Sequence, residues 1–103
     1  MRLIKLSNVV NDSEKYPEEI QKEVRAWIQT VKEAEWRHLQ DIRNTYNRSV
    51  DQVGNRLIFN IKSYRLIVGF NFQTKTGIIY YKHLLTHQEY ELNKWKNDSD
   101  FQE

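Results

Sequence analysis

Apolar positions in this chain fall into two regular patterns, a helical stripe followed by strand alternation. Ile20, Val24, Trp27 and Val31 recur at spacings of four, three and four, which places them on one helix face. Pro17 at the first helical position, with Glu18 and Glu19 in the first turn, suits a helix start. Proline's missing N–H is not needed there, and carboxylates favour the positive helix end. The stripe predicts a helix to about Ala34 that covers a sheet. Before it, Arg2-Leu3-Ile4-Lys5 reads as a short strand and Ser7 as the cap of a brief helix through about Lys15. Between Trp36 and Gly54 the pattern weakens to a short helical segment around Leu39–Arg43 and then a polar loop.

From Asn55 the period becomes two. Leu57, Phe59 and Ile61 share one face, with Arg56, Ile58 and Asn60 on the other. Tyr64, Leu66, Val68, Phe70 and Phe72 repeat the apolar face, leaving Arg65, Ile67, Gly69 and Asn71 on the reverse. A tight turn at Lys62-Ser63 sets Ile61 opposite Tyr64 and Asn60 opposite Arg65; a loop longer by two residues keeps that parity. One face should therefore be core and the other open. A further turn through Gln73–Gly77 leads to a strand over Ile78–Leu85. A four-residue loop there puts Lys82 across from Ile67, beside Arg65, whereas the other parity would bury its charge. The fold class expected is α+β: a short N-terminal strand, two helices, and a three-stranded antiparallel run completing a small twisted sheet.

Composition narrows the function classes. At 103 residues the chain makes one domain, 1–103, with 97–103 expected as a flexible acidic tail carrying Asp98, Asp100 and Glu103. Hydrophobic content of 39% with 29% charged residues argues for an ordered protein. The absence of cysteine excludes a disulfide framework and thiolate chemistry, and it fits a reducing compartment. No segment reads as a signal peptide or a membrane span, so a cytoplasmic protein is expected. Charge is uneven: residues 55–96 hold seven basic groups against two acidic ones, a local +5 that would attract a polyanion to the sheet. Ordinary solvated lysines are the plainer explanation of the same count.

Several motifs stand in a recognisable order: Ala34-Glu35-Trp36, Asp41-Ile42, Asn55-Arg56-Leu57-Ile58-Phe59-Asn60-Ile61, Tyr64-Arg65-Leu66 and Thr86-His87-Gln88-Glu89-Tyr90. In these the chain resembles the HigB toxins of bacterial type II toxin-antitoxin systems, within the RelE/ParE superfamily, from about Tyr16 to Glu91. The resemblance implies a RelE/ParE-like fold and metal-free cleavage of mRNA on the ribosome, with no cofactor. It also implies neutralisation by a helix-turn-helix antitoxin of the HigA type, with DNA met only through that antitoxin. The chain departs from the family in a short first helix, a hairpin without glycines at Lys62-Ser63, and Glu91 where aspartate is common.

Cleavage through the ribose 2′-hydroxyl needs a proton acceptor, cations against the developing phosphorane charge, and a donor for the leaving oxygen. Arg65 and Lys82 suit charge stabilisation, the first as a fork and the second as a point charge. His87 is the acid/base candidate, because imidazole titrates near neutrality. Tyr90 could orient phosphate or stack on a base. Asn60 and Asn71 could position the RNA backbone, with Arg56 and Lys62 adding charge; Arg37 and Arg43, with Arg48, form a second basic group for ribosomal RNA or tRNA. Each has a plainer reading: His87 as a cap, Arg65 as a cross-strand partner of Asn60, Tyr90 as an anchor, and the loop arginines as solvated charge. His83 and His87 stand four apart but across a strand end and without a third ligand, so no metal site is expected. Two rival functions remain, a ParE-like inhibitor of DNA gyrase that performs no chemistry and an RNA-binding regulatory module.

Overall fold

A computed structural model describes residues 1–73 and 77–103, so most of the turn expected over 73–77 lies outside the described residues. Strand β1 (Arg2–Ile4) passes into helix α1 (Leu6–Ser13) through Lys5, which takes φ 67°. Ser7 lies inside α1, and no side chain caps that helix, which corrects its expected role. Helix α2 (Glu18–Glu33) starts just after Pro17 and buries Ile20, Val24, Trp27 and Val31 with Ile28. Helix α3 (Leu39–Tyr46) is longer than its sequence pattern indicated. A 3-10 turn at Asn47–Ser49 then leads into strand β2 (Val50–Val53), where a polar loop was expected. Val50-Asp51-Gln52-Val53 has no apolar alternation of its own; its strand conformation comes from pairing Val50 with Phe59 and Val53 with Arg56.

Strands β3 (Arg56–Ile61), β4 (Tyr64–Asn71) and β5 (Ile78–Thr86) complete one five-stranded sheet of order β1-β5-β4-β3-β2. Strand β1 runs parallel to β5 and the remaining pairs are antiparallel. Helix α4 (His87–Glu91) follows β5 directly. The class is α+β, but the described residues form five strands in a mixed sheet and four α-helices in place of the smaller set expected.

The Lys62-Ser63 hairpin has the expected register, Ile61 opposite Tyr64 and Asn60 opposite Arg65. Lys62 supplies the turn's left-handed residue, at φ 55°. On β5 the register differs from expectation. Ile67 pairs with His83 but Val68 pairs with Tyr81, so Lys82 is the extra residue of a bulge. His83, and not Lys82, stands across from Ile67.

Both sheet faces are covered. Helices α1, α2 and α3 close the main core, where Trp27 and Tyr46 meet Phe59 edge-on at ring-centroid separations of 5.4 and 5.0 Å. The reverse face, expected to be open, carries a second cluster in which Ile58 and Ile67 are buried with Trp95. Asn93, at φ 59°, and a 3-10 turn at Lys94–Asn97 bring Trp95 back over the sheet. The segment expected as a tail lies along the β2–β3 hairpin: the Asn55 N–H donates to the Gln102 carbonyl at 2.8 Å, and the Asn55 amide donates to the Asp100 carbonyl at 2.7 Å.

Candidate active site

Strand β5 ends where Thr86 can begin a helix. Its hydroxyl accepts from the Glu89 N–H at 3.2 Å, while a Glu89 carboxylate oxygen accepts from the Thr86 N–H at 2.9 Å. This reciprocal capping box fixes the direction of α4 and presents His87, half exposed, at its first position. Arg65 comes from the start of β4. Its Nη1 donates to the carbonyls of Tyr64 at 2.9 Å and Lys62 at 3.3 Å, so the hairpin backbone holds the guanidinium. Its Nη2 is left facing His87 Nδ1 at 3.4 Å. The same guanidinium lies 6.0 Å from the Tyr90 ring centroid, a cation–π arrangement. Tyr90 in turn stacks on Trp95 at 5.4 Å with 9° between the rings, and the Trp95 N–H donates to the Tyr90 carbonyl at 3.1 Å.

Hydrogen-bond chemistry sets the histidine tautomer. A guanidinium only donates, so the Arg65 contact requires a lone pair on Nδ1 and puts the neutral ring's proton on Nε2. That nitrogen faces a Glu91 carboxylate oxygen at 3.4 Å. Burial raises the Tyr90 pKa above the ordinary phenol value, and the negative charges of Asp51 and Glu91 add to the shift while Arg65 opposes it. Tyr90 therefore stays a neutral hydrogen-bond donor at physiological pH.

A guanidinium, an imidazole and a phenol thus converge on one sheet rim, and the family comparison bears on what they are for. Residues 20–93 match the model of a family described as HigB_toxin, RelE-like toxic component of a toxin-antitoxin system. The chain belongs to this family. No curated protein matches it. As the toxic component of such a system, the HigB-family chain has an antitoxin as its partner.

In this toxin the remaining candidates separate into those near the rim and those elsewhere. Asn60 stands directly across from Arg65, and the Lys62 carbonyl holds the guanidinium. The Lys62 amine itself pairs with Glu19, an interaction that raises the lysine pKa and lowers that of the glutamate. Lys82 is turned to Asp100 at 2.7 Å, and Arg56 is buried beside the same carboxylate. Asn71 lies six residues along β4 from Arg65, roughly 20 Å away, and its side chain accepts from the Gln73 N–H at 2.9 Å. Arg43 reaches the Val50 carbonyl at 3.4 Å, linking α3 to β2. Arg37 is exposed in the α2–α3 connection. His83 faces Asp98 at 2.9 Å while His87 faces Arg65 and Glu91, so their spacing of four does not bring them to a shared partner.

Sequence reasoning missed four contributors. Asp51 acts on Tyr90 from β2, a strand without a pattern. Trp95 is the platform under Tyr90, and an aromatic so close behind the Thr86–Tyr90 motif was the available signal. Asp98 and Asp100 were placed in the expected flexible tail, although they meet Lys82 and His83.

Proposed function

We propose that this toxin is a metal-independent endoribonuclease acting on mRNA at the ribosome. The observation that carries the reading is the convergence of Arg65, His87 and Tyr90 on a half-exposed rim, with the imidazole in the tautomer that leaves Nδ1 able to accept a proton. His87 Nδ1 takes the proton of the ribose 2′-hydroxyl, whose oxygen attacks the adjacent phosphorus. The bond to the 5′ oxygen breaks and that oxygen takes a proton from solvent, giving a 2′,3′-cyclic phosphate and a 5′-hydroxyl end. Arg65 offsets the added charge on the phosphoryl oxygens. Tyr90 donates to a phosphate oxygen while its ring, backed by Trp95, offers a surface for a base. The toxin works in the cytoplasm and is neutralised by a helix-turn-helix antitoxin of the HigA type.

The test is 5′-end mapping of cellular mRNA after a brief pulse of wild-type or His87→Ala protein, with circular dichroism to show that both are folded. New cuts inside translated frames should appear with wild type and fall about 10²- to 10⁴-fold in the variant. Growth arrest with intact mRNA would overturn the nuclease reading and direct attention to gyrase.

A further inference from the structure

Arg56 is the one buried charged side chain among the described residues, 3% exposed. It crosses the sheet above its partner Gly69, where an added Cβ would stand 3.6 Å from Nη1. Among the described residues its Nε and Nη2 have no hydrogen-bond partner, so the Nη2 approach to Asp100 is an ion pair without hydrogen-bond alignment, and Nη1 makes only a 3.4 Å contact with the carbonyl of neighbouring Asn55. Its charge is met by Asp100, whose Oδ1 lies 2.9 Å from Nη2 although that aspartate is itself 58% exposed. The other oxygen of Asp100 accepts from Lys82 at 2.7 Å. Asp98 meets His83 at 2.9 Å. The β5 bulge places Lys82 and His83 so that both reach the same acidic segment.

A fork, a point charge and an imidazole converging on oxyanions make up a phosphate-recognition set, here filled by carboxylates. The seat is wet. A cavity of about 290 Å³ borders the Lys82–Asp100 and His83–Asp98 contacts, with Lys5, Asp12, Lys82, His83, Asp98 and Asp100 in its walls, while Arg56 lies behind Asp100 and does not line it. Phe101 against Trp95 is the main apolar anchor, while Ser99, Asp100, Gln102 and Glu103 are exposed. A competing anion could therefore replace the carboxylates without opening the core. The level of His83 is two residues along β5 from Leu85, the partner of Arg65, which is roughly 7 Å. One RNA strand could span both places. The acidic segment also lies outside the residues matched by the family model.

We propose that Asp98 and Asp100 occupy a binding site for RNA-backbone phosphates formed by Arg56, Lys82 and His83, and that the acidic segment competes with RNA for the sheet. The proposal rests on the reading of this toxin as one that engages RNA. It needs no chemistry to be tested, so a 2′-O-methyl oligonucleotide that cannot be cut serves as the probe. Fluorescence anisotropy would compare the full-length wild type with Asp98→Asn/Asp100→Asn across a salt series.

The double variant should bind on the order of tenfold more tightly if roughly nine wild-type molecules in ten hold the segment docked. Its log–log salt dependence should steepen by about 1.4, as expected for the two phosphate contacts freed at Arg56 and Lys82 on a single strand. Adding Lys82→Gln to the double variant should reverse about 0.7 of that slope. Equal affinity and equal slope in folded wild type and double variant would overturn the proposal, even if mRNA cuts map as expected. Tighter binding by the double variant with cellular mRNA left intact would uphold the site and reject the nuclease.

Discussion

The two faces of the sheet are closed by different means. On one, α1, α2 and α3 lay contiguous apolar surface over Leu57, Phe59, Leu66, Val68 and Ile79, all between 0 and 1% exposed. On the other, a short excursion brings Trp95 over Ile58 and Ile67, and the closure is continued by carboxylates on Arg56, Lys82 and His83. Apolar burial is non-directional and not subject to ionic screening, so the first face stays shut while the protein is folded. Ionic closure at an exposed edge is screened and can be exchanged for another anion. The candidate site lies on the exchangeable side.

The sharpest way to break this contrast is to remove a tryptophan from each face. Trp27→Ala should cost about 3–5 kcal/mol, the usual range for an aromatic truncated in a core. That is a large fraction of the roughly 5–15 kcal/mol that holds such a domain folded, so chemical denaturation should show the midpoint shifted far toward water. Trp27→Phe is the milder control, because the indole N–H has no hydrogen-bond partner among the described residues and its removal leaves no polar group stranded. Trp95→Ala should stay folded with a smaller loss, about 1–3 kcal/mol, since its neighbours Tyr90 and Phe101 are already partly exposed. On the proposed nuclease reading, RNA cleavage by this variant should fall all the same, because Tyr90 loses the ring it stacks on. Equal destabilisation by the two alanine variants would show that the second face is as integral to the core as the first.

The same contrast explains what the sequence made legible. The α2 stripe and the β3–β4 alternation were readable because burial on the helix-covered face imposes a period, and cross-strand pairing of Asn60 with Arg65 followed from parity. Strand β2 was hidden because its conformation comes from its partner β3. The bulge at Lys82 was hidden because an extra residue in a ladder leaves no mark on composition. Arg65, His87 and Tyr90 were identified through the motif, and the structure brings them together. Lys82, grouped with them on an assumed register, is turned to the acidic segment instead. Ile58 and Ile67 were the overlooked signal on the reverse face, since two large apolar side chains there call for a cover.

A smaller effect separates a real cap from an expected one. Thr86→Ala removes the hydroxyl from the capping box and should cost about 1 kcal/mol. Ser7→Ala, inside α1 with no capping bond, should stay within about 0.5 kcal/mol of wild type. Thermal melts check both. Thr86→Ala should also slow RNA cleavage at unchanged fold, because the box sets the direction from which His87 meets Arg65. If Ser7→Ala proves the more destabilising, the assignment of these two helix starts is wrong.

The least perturbing test uses protons. The hydrogen bond from Lys82 holds the Asp100 pKa below the ordinary carboxylate value; desolvation opposes the shift, and Arg56 adds to the lowering. A depressed carboxylate favours the docked segment above its free value, about 3.9 for aspartate, and that contribution is lost as pH falls through the lower, docked value. Carbon-detected NMR of the Asp100 carboxyl should therefore show a midpoint below the free value, with the Gln102 N–H, which donates to the Asn55 side chain, losing protection over the same range. Lys82→Gln should move the midpoint upward. An Asp100 midpoint at the free value in wild type, unmoved by Lys82→Gln, would mean the segment is not held by charge, and the contrast between the two faces would reduce to one of apolar area.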